Sequence, residues 1–157
     1  MLTQFQDYLT FENIYIWTNF GILPFWIMLI VIPNSKVTQF FVNSIILPLI
    51  LSTAYVYIFY QIIILEESII DVFNLYLSLD ELLILFSEKN FIIIFWIHFL
   101  AINLFCGSWI VRDYQKINMP KFLAFFPLIL TYFIGPLGLC IYWLFRIFYS
   151  KRLDLYE

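Results

Sequence analysis

Residues 90–111 read Asn90-Phe-Ile-Ile-Ile-Phe-Trp96-Ile-His98-Phe-Leu100-Ala-Ile-Asn103-Leu-Phe-Cys106-Gly107-Ser-Trp109-Ile-Val111, and Arg112 and Asp113 follow at once. A helix crosses the hydrocarbon of a bilayer in about 20 apolar residues, so an uncharged run of this length reads as a membrane span. Its polar members need a reason to be there. His98 is the only histidine of the chain, and an ionisable residue inside a span is by default a candidate functional group. A hydrogen bond between packed helices is the competing explanation, for His98 and for Asn103 alike.

The rest of the chain agrees with this reading. Of its 157 residues, 64% are hydrophobic and 12% charged, and the mean hydropathy is +0.93. A soluble fold of this size would have no way to keep so much apolar surface from water. The expectation is one membrane domain over residues 1–157. Residues 1–13 hold no Lys or Arg and include Asp7 and Glu12, unlike a secretory or transit leader. With a net charge of −3 and no basic stretch or phosphate-binding glycine loop, nucleic acid is set aside as a partner, leaving the lipid bilayer as the first one.

Working outward from 90–111, three more spans can be drawn, at about 14–32, 40–65 and 122–148. The first holds Pro24 and stops at Pro33, the second holds Pro48, and the fourth holds Pro127 and Pro136. Proline is tolerated in spans, where it kinks the helix. Between the second and third spans, residues 66–89 mix six acids with apolar residues, and Leu79, Leu82, Leu83 and Phe86 recur at helical spacing. A short amphipathic helix on the membrane surface is predicted there. The expected fold is therefore an all-α, four-span up-down bundle plus that surface helix. Four spans put both termini on one side, and the Lys and Arg residues then divide four against four, so orientation is undecided.

On a helix turning about 100° per residue, His98, Ile102, Phe105 and Trp109 share one stripe and Trp96, Asn103 and Gly107 another. The two polar residues therefore face different neighbours. In the fourth span Thr131, Gly135, Gly138 and Tyr142 form a narrow stripe of small and hydroxyl residues, a natural packing face for the third span. Its closeness is read either as helix-helix packing or as the wall of a polar pocket. No metal is expected: one histidine without a second ligand at i+3 or i+4 is no ligand set, and Cys106 and Cys140 lack clustered spacing.

The pattern Trp96-Ile-His98-Phe-Leu100-Ala-Ile-Asn103-Leu-Phe-Cys-Gly107-Ser-Trp109, with Asp113, Pro127-Leu-Ile-Leu-Thr131 and Gly135-Pro136-Leu-Gly138, resembles the abscisic-acid-deficient-four-like membrane family of cyanobacteria and plastids. Asn19 with Leu23-Pro24-Phe25-Trp26 is similar to that family's opening motif, and the resemblance extends from Asn19 to Arg146. It departs at Asn103, where the family leads one to expect an aspartate. The resemblance implies a protein of a thylakoid, plastid or cyanobacterial membrane, associated in plants with neoxanthin formation from violaxanthin.

That isomerisation opens a 5,6-epoxide and removes a carbon-bound proton to make an allene, so it needs an acid and a base but no redox cofactor. On the resemblance, His98 is the expected base, with Tyr142, Thr131 or Asp113 as proton donor. Asn19, Trp96, Asn103, Gly107, Trp109, Gly135 and Gly138 are expected to bind the ligand or pack the helices. The alternative is a non-catalytic pigment-binding or structural subunit of a photosynthetic complex, holding a carotenoid or chlorophyll and touching a photosystem or other membrane subunits.

Overall fold

The computed structural model describes residues 10–42, 44, 46–61 and 78–151, and seven α-helices lie among them. In chain order they are α1 (Phe11–Val31), α2 (Lys36–Phe41), α3 (Ile46–Tyr60), α4 (Leu79–Leu85), α5 (Lys89–Lys116), α6 (Lys121–Phe133) and α7 (Gly135–Ser150). Three segments are long and apolar enough to cross a membrane: α1, the stretch Lys36–Tyr60 that holds α2 and α3, and α5. The protein is thus an all-helical membrane protein over the described residues.

Local chemistry sets the ends of these helices. The Thr10 hydroxyl accepts the Asn13 N–H and starts α1, and Pro33, which cannot continue a helix, follows its last turn. The Ser35 hydroxyl accepts the Thr38 N–H and starts α2, while the buried Thr38 hydroxyl donates to the Ile32 carbonyl and ties α2 to the end of α1. At α4, none of the helical residues is buried, as expected of a surface helix; Phe86 beyond its end stacks edge-on against Phe91 and Phe95. Residues 66–77 of the predicted amphipathic segment and 62–65 of the second span lie outside the described residues.

Helix α5 is the axis of the molecule, touching α1, α3, α6 and α7. Side-chain pairs give the directions. Glu12 meets Lys89, Asn19 meets Trp96 and Asn34 meets Gln115, so α1 runs parallel to α5. Tyr55 meets His98, and Ile58 packs with Ile93, Ile94 and Ile97, so α3 runs antiparallel. One apolar core joins Ile22, Trp26 and Leu29 of α1 to Leu100, Leu104 and Ile110 of α5 and to Ala124, Leu128 and Tyr142 beyond.

The expected fourth span, 122–148, is not one helix. It is two helices broken at Ile134, whose backbone (φ −141°, ψ 77°) is not helical. The second folds back along the first. Asn103, near the middle of α5, donates to the Tyr132 carbonyl, whereas Arg146 bonds Asp113 and Tyr149 bonds the Asn118 carbonyl near the end of α5. Chain that descends from Lys121 has therefore returned to the same level by Tyr149.

At 1.5 Å per residue, α6 and α7 are about 20 and 24 Å long against about 42 Å for α5, and hydrocarbon is about 30 Å thick. They form a re-entrant hairpin that dips to mid-depth and comes back. The physical reason is the Gly135-Pro136 step. Pro136 removes a helical N–H where α7 must start anew, and a Cβ on Gly135 would run into the Asn103 amide while one on Gly138 would run into the Thr131 backbone. Only glycine lets α7 lie that close to α5 and α6.

Candidate functional site

Where α5 ends beside α7, one carboxylate oxygen gathers two donors. Asp113 Oδ2 accepts the Tyr142 hydroxyl at 2.6 Å and the Arg146 Nε–H at 2.7 Å. All three residues are buried, and the ion-paired side chains of Arg146 and Asp113 are only 5% and 7% exposed. The spacing explains the geometry. Tyr142 and Arg146 are four residues apart and share one face of α7, which the hairpin turns toward Asp113.

A buried charge pair is tolerated only with good geometry and added hydrogen bonds, and here both conditions are met. Aromatic rings complete the shell. The Trp109 ring meets Tyr142 edge-on at 5.7 Å and stacks on Trp143 at 5.7 Å, while the Arg146 guanidinium lies 5.0 Å from the Trp143 ring centre, a cation–π contact. Beside this shell is a cleft of about 270 Å³ lined by Phe105, Cys106, Trp109, Leu139 and Trp143. A larger apolar cleft of about 510 Å³ lies between α1 and α3, lined by residues that include Trp17, Gly21, Phe25, Ala54 and Tyr57.

The structure brings together two of the four expected catalytic residues, Asp113 and Tyr142, and adds Arg146. His98 is not with them. It is exposed on the outer face of α5, its ring 6.2 Å from that of Tyr55, and fifteen residues along the helix put it about 22 Å from Asp113. Thr131 is fully buried at the hairpin tip, its hydroxyl donating to the Pro127 carbonyl. It shapes the tip rather than the carboxylate site.

Of the other expected residues, Trp109 lines the smaller cleft, and Asn19, Trp96, Asn103 and Gly107 make packing contacts. Trp96 Nε1 donates to Asn19 Oδ1 at 2.9 Å and joins α5 to α1. Asn103, buried, supplies the Tyr132 carbonyl with a donor at the hairpin break, where a broken helix leaves backbone groups without partners. Gly107 receives the Trp26 indole, since a Cβ there would sit 2.6 Å from the ring. Among the described residues no cluster of three or more His, Cys, Asp or Glu side chains is placed to hold a metal.

Sequence reading names Asp113 and Tyr142 as candidate proton donors but does not pair Asp113 with Arg146. The available signal was the four-residue spacing of Tyr142 and Arg146. It pointed at Asp113 only once the chain was allowed to turn back at Ile134.

The sequence model of the family described as ABA DEFICIENT 4-like matches residues 13–142. No curated protein and no solved structure matches the chain.

Proposed function

The chain belongs to the ABA DEFICIENT 4-like family, and on that premise we propose that it is an integral protein of a photosynthetic membrane that binds or acts on a xanthophyll. The observation that supports a site is the buried Asp113–Tyr142–Arg146 cluster beside the Trp109–Trp143 cleft. Flat aromatic walls suit the end ring of a xanthophyll, and the apolar cleft between α1 and α3 suits a hydrocarbon chain.

In this reading Tyr142 is the acid and Asp113 the base. The phenol gives its proton to the epoxide oxygen as the ring carbon–oxygen bond breaks. The carboxylate takes the proton from carbon as the allene forms, then passes it across the 2.6 Å hydrogen bond to restore the phenol. Substrate and product are isomers, so no electrons are gained or lost. Arg146 holds the carboxylate in place and stabilises the transient phenolate. His98, distant and exposed, has no part in the transfer.

A second reading rests on a different aspect of the same cluster. Asp113, Tyr142 and Arg146 engage one another closely enough to act as a structural clamp on the hairpin, with the clefts serving a bound pigment in a non-catalytic subunit. The test is expression in a host that makes violaxanthin, followed by purification and pigment extraction. Xanthophyll bound at stoichiometric amount and lost in Trp143→Ala supports binding. New product that disappears in Tyr142→Phe, at equal protein level, supports catalysis. Neither bound pigment nor an altered xanthophyll profile would sink both readings.

A further inference from the structure

The re-entrant hairpin changes the charge balance across the membrane. Lys36 follows the end of α1, beside the Asn34–Gln115 hydrogen bond. Lys121 donates to the Val31 carbonyl at 2.6 Å. Arg112 and Lys116 lie in the last turns of α5, Arg146 bonds Asp113, and Lys151 ends α7 two residues beyond Tyr149, which bonds Asn118. These six all lie at one end of α5. At the other end the described residues carry only Lys89, bound to Glu12 at 2.7 Å, together with Asp80, Glu81 and Glu88.

Residues 1–9, 43, 45 and 62–77 contain no Lys or Arg, and the remaining basic residue, Arg152, directly follows Lys151 in the chain. Nothing in those segments redresses six against one. Short connections rich in Lys and Arg stay on the side of the membrane where the chain is made. We propose that the face bearing Lys36, Arg112, Lys116, Lys121 and Lys151 is this retained face, and that α1 begins on the translocated face.

The membrane is therefore crossed three times, with the ends of the described chain on opposite sides. The Asp113–Tyr142–Arg146 cluster and the Trp109–Trp143 cleft then belong to the retained leaflet, and a ligand of any class reaches them from there. The acidic rim around Glu12, Asp80, Glu81 and Glu88 faces the other compartment. This inference rests on the fold and the charges, and it stands whether the site binds or transforms its ligand.

The experiment uses the full chain in a bacterial inner membrane, with Cys106→Ser and Cys140→Ser as background and single probes Glu12→Cys, Glu88→Cys, Lys36→Cys, Lys116→Cys and Lys151→Cys. A membrane-impermeant maleimide should label the first two in intact cells and the last three only after permeabilisation. A green fluorescent protein fused at the C-terminus should be fluorescent in the cytoplasm, and alkaline phosphatase fused there should be inactive, which guards against loss of one cysteine variant.

The reverse labelling pattern, or equal labelling of both sets, overturns the orientation. Labelling of Lys151→Cys together with Glu12→Cys, while Lys36→Cys stays protected, overturns the hairpin on which it rests.

Discussion

The two ends of α5 each carry an ion pair with the same 2.7 Å separation, and they do different work. At Lys89 the partner is Glu12, and the side chains are 68% and 74% exposed. At Asp113 the partner is Arg146, at 5% and 7%. An exposed pair is screened by water and holds two flexible side chains for little return. A buried pair is different: its desolvation has already been met by the fold, so removing one partner strands the other charge in an apolar shell. Separation is equal, and burial decides the consequence.

The sharpest way to break this contrast is Asp113→Ala. It should lower stability by about 3–5 kcal/mol, the usual cost of orphaning a buried charge, read as a fall in the unfolding midpoint followed by tryptophan fluorescence in mild detergent. Tyr142→Phe keeps the ring and removes one donor to the carboxylate. The expected loss is about 1.5–3 kcal/mol, and any xanthophyll conversion should cease while pigment binding persists.

Arg146→Lys retains the charge but not the planar guanidinium or its contact with Trp143. A partial loss of about 1 kcal/mol is expected, since the two cations are not interchangeable at a directed, stacked site. At the other end, Glu12→Gln should leave the unfolding midpoint where it was. A large effect there, or none at Asp113, would reverse the comparison.

Much of this arrangement was legible beforehand, for identifiable reasons. Helices α1 and α5 follow from long uncharged runs, whose length against bilayer thickness leaves few alternatives. The split between the faces of Asn103 and His98 follows from helical rotation alone, and the structure buries the first and exposes the second. The break at Ile134 was not legible. From Phe122 to Phe145 the chain has no charge, and proline inside a span normally means a bend, not a reversal.

Pro136 breaks the helix locally, but what fixes the reversal is tertiary. Gly135 and Gly138 sit where any larger residue would strike Asn103 and Thr131, and nothing local announces that neighbours stand there. Two further errors followed from that one. A straight fourth helix carries Tyr142 and Arg146 away from Asp113, so the pairing of Asp113 with Arg146 was not seen. It also carries Arg146, Lys151 and Arg152 to the opposite face, which produced the four-to-four tie in place of a strong asymmetry.

The fold-back of α7 thus underlies the site, the charge balance and the difference between the two ends of α5. It is tested most directly by cross-linking in the membrane. In the background lacking Cys106 and Cys140, the pair Asn118→Cys and Tyr149→Cys should be joined by a short bis-maleimide, because the Tyr149 hydroxyl touches the Asn118 carbonyl. Failure of that pair, with efficient joining of Tyr149→Cys to Lys89→Cys at the far end of α5, would contradict the account.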